Sequence, residues 1–280
     1  MRNYLDLVGR ILLHGELRND RTGTGTYSVF DSRLEFDMRG GKFPAVTTKK
    51  LQWNAVVGEL LWFLSGSTDI HELSWYTHNG DIYKNTIWHP NFEKQGLALG
   101  YTDGELGPVY GSQWRNWGGS GIDQIRNLLT SLVEDPHGRR HIVSAWNVSD
   151  LAKMTLPPCH YAFECYATNK GFLNLKWHQR SVDVFLGLPF NIASYALLLT
   201  ILAKLTGLKP GILIFDGGDI HIYKDHLDQM ATQYRRTPLD LPELIMPEFD
   251  SLEELLMLTA SDFTLSNYQH HSSLTGKMSA

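Results

Sequence analysis

The chain has 280 residues, with 25 Lys and Arg against 30 Asp and Glu and only two cysteines. Its net charge of −5 argues against a general nucleic-acid or membrane-surface binder, because such proteins usually present a basic face. Cys159 and Cys165 are too few for a secreted disulfide scaffold and lack the spacing of a metal site. The longest apolar stretch, residues 195–208, is broken by polar residues, and the N-terminus has no signal-peptide pattern. We therefore expect a soluble protein of the cytoplasm.

Hydrophobic periodicity predicts helices and short strands in an interleaved order. The helices are expected at residues 4–14, 53–64, 123–133, 189–206 and 224–235, with a last short helix after Ser251, and the strands at residues 27–30, 34–36, 141–146, 160–167, 172–178, 211–215 and 220–223. Residues 65–120 are expected to be rich in loops. Because no linker, repeat or low-complexity tract divides the chain, we expect one domain, residues 1–280. The order of elements indicates an α+β fold with a mixed sheet.

A predicted hairpin gives the most specific geometric expectation. Residues 160–167 and 172–178 flank the turn sequence Thr-Asn-Lys-Gly. If the two middle residues of that turn are the hairpin centre, residues whose numbers sum to 339 face each other. Cys159 then lies opposite Arg180, provided that the hairpin contains no bulge.

Cys159, in the run Leu-Pro-Pro-Cys-His, has two interpretations. A lone cysteine is most often a small buried hydrophobe. An arginine facing the thiol would instead lower its pKa and favour a thiolate nucleophile. Cys165, in the middle of a predicted strand, is expected to be structural.

Several polar residues are either ordinary surface groups or parts of a ligand site. Four arginines and a serine have the chemistry to bind a phosphate dianion, although each arginine alone could be a solvated charge: Arg21, Arg139, Arg140, Arg180 and Ser181. Asn191 is either a helix cap or a bidentate reader of a base edge. His221 and Tyr223 share one strand face, which either lines a pocket or faces water. The other histidines match no closed ligand set, so we reject a zinc site.

Glu59 lies within an apolar helical run. It is either a core carboxylate paired with a neighbour or a functional group. Burial at such a position would raise its pKa, as a proton-shuttling group requires.

Seven sequence blocks, in order along nearly the whole chain, resemble the thymidylate synthase family. They are RTGTGT at 21–26, ELLWFL at 59–64, GPVYG at 107–111, RR at 139–140, LPPCH at 156–160, QRSVDVFLGLPFNIASY at 179–195 and GGDIHIY at 217–223. The resemblance implies a single catalytic domain with a largely antiparallel sheet packed by helices, and a homodimer joined sheet to sheet. It implies deoxyuridine monophosphate (dUMP) and 5,10-methylenetetrahydrofolate as substrates, with no metal, membrane or nucleic acid required.

The resemblance also implies a role for individual residues. Cys159 would add to C6 of the uracil, Glu59 would organise the water that moves protons at O4 and C5, and Tyr110 would assist proton removal from C5. The nucleotide would contact Arg21, Arg180, Ser181, Asp183, Asn191, His221 and Tyr223, with Arg139 and Arg140 reaching in from the other subunit. The folate would contact Ile87, Trp88, Asp183, Leu186, Gly187, Phe190 and Ser279. Asn191 favours uracil, because related deoxycytidylate hydroxymethylases carry Asp there.

Departures from the family pattern gather on the folate side. His89 follows Trp88 where the family usually has Asp, His178 replaces a usual Tyr, Gln52 stands where some members have His, and residues 270–280 form a more polar C-terminus. Once a methylene group is on C5, hydride gives thymidylate whereas water gives 5-hydroxymethyl-dUMP. The sequence therefore leaves two reactions open: a synthase that has drifted, and a dUMP hydroxymethylase of the kind that viruses use.

Two other classes of protein are weaker alternatives. A cysteine hydrolase would need Cys159 and His160 as a dyad, but adjacent strand residues point to opposite faces. A catalytically inactive nucleotide- or RNA-binding protein would not need the complete set of polar residues.

Overall fold

The computed structural model describes residues 1–20 and 22–278. The longer helices and the strands occur in an interleaved order. The α-helices are α1 (Arg2–His14), α2 (Trp53–Ser65), α3 (Ile70–Thr77), α4 (His89–Asn91), α5 (Tyr110–Arg115), α6 (Gln124–Glu134), α7 (Gly187–Leu205), α8 (Leu227–Tyr234) and α9 (Leu252–Leu255). The strands are β1 (Glu16–Arg18), β2 (Thr26–Asp37), β3 (Ile142–Ser144), β4 (His160–Ala167), β5 (Phe172–Asp183), β6 (Lys209–Tyr223), β7 (Glu243–Ile245) and β8 (Thr264–Ser266).

The main sheet has six strands in the order β1-β2-β6-β5-β4-β3. All neighbours are antiparallel except β5 and β6, which are parallel and joined through α7. β7 and β8 form a separate antiparallel pair. The predicted α+β class with a mixed, largely antiparallel sheet is therefore confirmed.

Helix α7 is the centre of the core. It is apolar on nearly every side, and it packs on β5, β6 and α2. Of the described helices, it is the one long and apolar enough to cross a membrane by length and composition. Most of its surface is buried inside the protein, as in a core helix.

The β4–β5 hairpin reaches the predicted Cys159–Arg180 pairing by a different route. The Thr168 N–H donates to the Phe172 carbonyl, so the loop has three residues, and Gly171 takes the left-handed conformation with φ of 72°. Partner numbers along most of the hairpin consequently sum to 340. A bulge at Tyr161 shifts the register by one, and the Arg180 N–H donates to the Cys159 carbonyl at 2.9 Å. The predicted turn centre was wrong, while the predicted pair is confirmed.

In the neighbouring strands β2, β6 and β5, the alternation of buried and exposed side chains shifts by one residue at the same height in the sheet. In β6 the buried apolar positions are odd-numbered up to Phe215 and even-numbered from Ile220. The change falls at Gly217–Gly218, beside Asp31 of β2, whose φ is 65°. A Cβ on Gly218 would lie 3.0 Å from the Arg180 carbonyl oxygen. This kink brings Arg180 and the polar residues that follow it to one end of the sheet.

Two predicted features of secondary structure were wrong. The predicted strand pairs at 27–30 and 34–36, and at 211–215 and 220–223, are single long strands, because the kink interrupts the side-chain pattern without ending the backbone pairing. Residues 65–120 also contain α3, α4, α5 and short helical turns. Helices of three to eight residues are too short to give a clear hydrophobic period.

Candidate active site

Cys159 lies immediately before β4 and is held through its backbone. Its N–H donates to the Tyr110 hydroxyl at 2.8 Å, and its Sγ lies 3.9 Å from Arg180 Nη2. Arg180 itself donates from Nε to the Pro158 carbonyl and from Nη2 to the Pro157 carbonyl, at 2.8 and 3.0 Å. The two prolines therefore precede the thiol in the chain and also supply the carbonyl acceptors that fix the Arg180 guanidinium beside it.

Burial and Arg180 act on the Cys159 thiol in opposite directions. Burial raises the pKa of the thiol, and the charge of Arg180 lowers it by a smaller amount. Arg180 therefore acts in the predicted direction, but the net pKa lies above the ordinary value because the effect of burial is larger. Burial also raises the pKa of Cys165, which is buried mid-strand as expected.

Glu59 is the second titratable group of the candidate site. It lies on α2 with its side chain buried, and the Trp88 indole Nε1–H donates to Glu59 Oε1 at 2.7 Å. Burial raises the pKa of this carboxyl to about 7, and the indole hydrogen bond opposes that rise. The carboxyl can therefore gain or lose a proton near neutral pH.

An aromatic stack connects these two groups. Tyr110 stacks on His160 at 4.3 Å between ring centres, and Phe63 lies against Tyr110 at 4.7 Å. His160 Nδ1 contacts the Tyr195 hydroxyl at 2.9 Å, and burial lowers the pKa of His160 to about 3. The imidazole is thus neutral and committed to Tyr195, which disfavours a Cys159–His160 dyad.

Asn191 is oriented by a neighbour on the sheet. Gln179 Nε2 donates to Asn191 Oδ1 at 3.0 Å, while Gln179 Oε1 accepts from the Trp177 indole at 3.0 Å. The indole fixes which end of the Gln179 amide is the donor, and this in turn fixes the Asn191 amide. Asn191 keeps its Nδ2 donors for a ligand, in addition to the remaining acceptor capacity of Oδ1.

His221 is held in the same way by Asp219. Asp219 Oδ1 accepts from Ser28 Oγ at 2.9 Å and contacts His221 Nδ1 at 3.0 Å. Hydrogen bonding to His221, the largest cause, lowers the pKa of Asp219. The Tyr223 ring lies edge-on to the His221 ring at 5.2 Å, so the two predicted residues do lie side by side.

The predicted folate residues after β5 form a tight turn. Asp183 Oδ1 accepts from the Phe185 N–H at 2.8 Å, and burial raises the pKa of Asp183. Leu186 precedes α7, which begins at Gly187, and a Cβ on Gly187 would lie within about 4 Å of both Asp183 and Asn191. Phe190, one turn along, packs against the core.

The remaining predicted residues differ in what can be said of their position. Arg21 and Ser279 lie outside the described residues. Arg139 and Arg140 are exposed between α6 and β3, with no ion pair to another described side chain. Ser181 pairs with Asp219 across the β5–β6 ladder, and Ile87 is about half exposed next to the buried Trp88.

The histidines that depart from the family pattern have local partners. His89 Nδ1 accepts from the Thr86 N–H at 2.9 Å, the kind of contact that an Asp side chain also makes. His178 lies on the sheet face turned away from α7, with ring nitrogens 3.2 Å from Glu164 Oε1 and from Asp216 Oδ2. Neither imidazole hydrogen-bonds to Cys159, Glu59 or Trp88 in the described part of the chain.

Sequence reasoning missed the residues that orient the predicted ones. Gln179 and Asp219 lie within the recognised sequence blocks, and Asp219 alternates with His221 and so shares its face. That alternation was the available signal. No local signal marks Tyr195 as the partner of His160, because it lies in a mostly apolar stretch of α7 that reads as core.

The thymidylate synthase family model matches residues 2–280, so the chain belongs to this family. The family comprises transferases of the methyltransferase type that act on dUMP with methylenetetrahydrofolate as co-substrate. Two phage proteins are close relatives. The chain is 60% identical over 282 residues to a probable thymidylate synthase of Escherichia phage T5, covering 100% of both chains. It is 48% identical over 288 residues to the thymidylate synthase of Enterobacteria phage T4, covering 99% of both.

The structural comparison agrees with the sequence comparisons. The fold matches the crystal structure of thymidylate synthase from T4 phage with a TM-score of 0.94 and 47% identity, covering 100% of both chains. The chain is therefore an enzyme of this class, and both relatives named above are phage proteins.

Proposed function

We propose that the enzyme makes thymidylate from dUMP through a covalent adduct between Cys159 Sγ and C6 of the uracil. The observation that carries this proposal is the placement of the thiol beside the anchored Arg180. In the adduct the new S–C6 bond moves electrons to C5 and O4, and C5 then bonds to the methylene carbon of the folate. Loss of the C5 proton and cleavage of the bond between the methylene carbon and the folate nitrogen leave an exocyclic methylene group on the adduct and free tetrahydrofolate. Hydride from tetrahydrofolate reduces this group to methyl and leaves dihydrofolate. The electron pair that reaches C5 then expels Cys159 Sγ from C6 and restores the C5–C6 double bond.

The substrate contacts follow from the residues around the thiol. Arg180 and Ser181 would bind the phosphate with Arg21, while His221 and Tyr223 would contact the ribose hydroxyl. Asn191 would donate to uracil O4 and accept from N3–H, since Gln179 fixes the direction of its amide. Asp183, Leu186, Gly187 and Phe190 would contact the folate from the start of α7, with Ile87, Trp88 and Ser279 on its other sides.

Proton transfers would use Glu59 and Tyr110 differently. A carboxyl with a pKa of about 7 can deliver a proton towards O4 and take one back. Burial raises the pKa of Tyr110 well above its ordinary value, so its phenol remains neutral. We therefore assign Tyr110 to hold the Cys159 backbone and to orient water at C5, and not to act as a phenolate base.

Hydride capture, and not water capture, is the outcome that the site favours. His89 uses Nδ1 on a backbone N–H, and His178 contacts two carboxylates on the other face of the sheet. Neither departure therefore supplies a water-binding imidazole next to the nucleophile. These contacts favour drift within a synthase over a dUMP hydroxymethylase.

A homodimer would bring Arg139 and Arg140 to the phosphate of the partner's site. The outer face of the main sheet supports this proposal, since it exposes apolar side chains that soluble monomers usually cover. Phe30 is 80% exposed, Tyr166 is 66% and Ile142 is 54%. A depression of about 230 Å³ between Ile142 and His178 could receive side chains of a second copy on this face. We place the reaction in the cytoplasm of the host cell.

Turnover of purified enzyme with dUMP and 5,10-methylenetetrahydrofolate tests the reaction. Thymidylate and dihydrofolate must appear in equal amounts, and Cys159→Ala must abolish both while the protein still binds dUMP. A nucleotide product one oxygen atom heavier than thymidylate, formed with tetrahydrofolate, would identify the hydroxymethylase instead.

A further inference from the structure

A buried histidine outside the nucleotide site joins the C-terminal segment to the folate side. His226 has no exposed surface and lies at the end of the short turn Lys224–His226 that follows β6. Its Nε2 contacts the Lys277 carbonyl oxygen at 2.9 Å, and its Nδ1 lies 3.9 Å from Asp183 Oδ2. Among the described residues, Nδ1 has no hydrogen-bond partner.

The geometry specifies which ring nitrogen carries a proton. A carbonyl only accepts, so Nε2 must donate to Lys277. Nδ1 is left facing the Asp183 carboxyl across a gap that is about 1 Å longer than a hydrogen bond. A hydrogen bond across this gap needs a proton on one of the two groups, either on Nδ1 or on the Asp183 carboxyl. With that proton in place, a small movement of either side chain gives the buried nitrogen the partner that it lacks.

The tail segment, residues 272–278, approaches His226 closely enough to be sensitive to its position. A Cβ on Gly276 would lie 2.6 Å from the Phe185 ring and 2.7 Å from His226 Nε2, so only glycine fits. Other contacts hold the segment nearer its start: Gln229 donates to the Thr275 carbonyl at 3.2 Å, and Arg236 donates to the Ser272 carbonyl at 2.7 Å. His226 is thus the last described hydrogen-bond anchor before the chain end.

We propose that His226 is a positioning residue that couples the seating of the tail to Asp183 in the folate site. It holds the Lys277 carbonyl through Nε2 and faces Asp183 with Nδ1, so that residues 272–278 are held in register with the residue that contacts the folate. This inference rests on the proposed function, because Asp183 acts on the folate only there. It predicts that His226 affects the binding of the folate more than the binding of dUMP.

Two variants perturb this link from its two sides. Gly276→Ala places a methyl group against Phe185 and His226 and so displaces the tail, and His226→Phe keeps an aromatic ring but removes both nitrogens. Each should raise the KM for 5,10-methylenetetrahydrofolate about tenfold, the cost of one buried hydrogen bond, with a clearly smaller change in the Kd for dUMP. His226→Gln, whose amide can donate to Lys277, should recover most of the loss. Gly40→Ala is the matched control, since a Cβ there meets nothing within 4 Å.

Two further measurements separate coupling from a general loss of structure. Carboxypeptidase should release the last residues faster from Gly276→Ala and His226→Phe than from wild type or Gly40→Ala. In a chain that ends at Gly276, His226→Phe should no longer weaken tetrahydrofolate binding in the presence of dUMP, because the partner carbonyl is gone.

The outcomes distinguish this inference from the proposed function. Failure of the wild type to make thymidylate would overturn the proposed function itself. Normal wild-type turnover, with Gly276→Ala behaving like Gly40→Ala, would overturn the coupling alone. Equal losses of dUMP and folate affinity in His226→Phe, or a full additional effect in the shortened chain, would also overturn it by assigning His226 a purely structural role.

Discussion

The Sγ of Cys159 and the Nη2 of Arg180 are 3.9 Å apart, and neither partner is free to move away from the other. Arg180 donates to both proline carbonyls that precede the cysteine, and its backbone N–H donates to the cysteine carbonyl. The charge that opposes the burial of the thiol is therefore fixed before any substrate binds. This preorganisation is what an activated nucleophile requires.

Removal of the Arg180 charge should make the thiol less reactive. In a Cys165→Ala background, where Cys159 is the remaining thiol, we expect Arg180→Met to raise the pKa of Cys159 further, because the positive charge that lowers it is gone. Alkylation by iodoacetamide near neutral pH should then slow about tenfold, as read from the pH dependence of the rate. Arg33→Met, at an exposed position on β2, is the control and should leave the profile unchanged. An unaltered profile in Arg180→Met would refute electrostatic support of the thiol.

Ionisation of the buried Glu59 carboxyl should make the folded protein less stable as the pH rises. The pKa of Glu59 is about 7 in the folded chain and takes the ordinary value of 4.5 in the unfolded chain. Between these two pH values the folded state therefore binds more protons than the unfolded state. The free energy of unfolding should fall by about 3 kcal/mol over this window and then stay constant. Glu59→Gln, which keeps an acceptor for Trp88, should remove this dependence and be more stable than wild type at pH 8.

The same Glu59→Gln substitution should abolish turnover while sparing dUMP binding.

Denaturant unfolding at pH 4 and pH 8 measures the stability change. Glu93→Gln, at an exposed position after Trp88, is the matched control and should follow the wild type at both pH values. If wild type and Glu59→Gln differed in stability by the same amount at both pH values, burial would not raise the pKa of the Glu59 carboxyl.

The sequence predicted the nucleophile and its arginine better than it predicted how they meet. Both residues lie in specific blocks, and a short hairpin permits few registers. The bulge at Tyr161 left no mark in the sequence, because one extra residue in a strand changes the backbone and not the composition. The kink at Gly217–Gly218 was likewise interpreted as a turn between two strands. Partners distant in sequence, such as His226 and Lys277, depend on tertiary packing that periodicity does not contain.

His89 should prove replaceable by the usual family residue. Because its Nδ1 accepts from the Thr86 N–H, the carboxylate in His89→Asp can take over that contact. We expect thymidylate as the sole nucleotide product before and after the substitution, with kcat within about twofold, as for changes that keep the local contacts. Mass analysis of the nucleotide and absorbance of dihydrofolate measure both. A change in the ratio of methyl to hydroxymethyl product would place His89 in the capture step.

Asn191 should determine the choice of base. Asn191→Asp replaces the Nδ2 donor with an acceptor, which suits the exocyclic amine of cytosine and opposes O4 of uracil. With Gln179 still donating to this side chain, kcat/KM for dUMP should fall by about a hundredfold or more, and binding of dCMP should appear. Asn127→Asp, on the exposed side of α6, is the control. Unchanged preference for dUMP would mean that Asn191 does not contact the base.

The partner-subunit role of Arg139 and Arg140 can be tested by mixing two inactive proteins. One carries Cys159→Ala and the other carries Arg139→Ala with Arg140→Ala. If the arginines reach across the interface, each mixed dimer contains one site with an intact cysteine and both arginines. Unfolding the two together and refolding should recover about a quarter of wild-type activity, since half of the dimers are mixed and each has one complete site. If the arginines serve their own chain, no complete site forms and the mixture stays inactive.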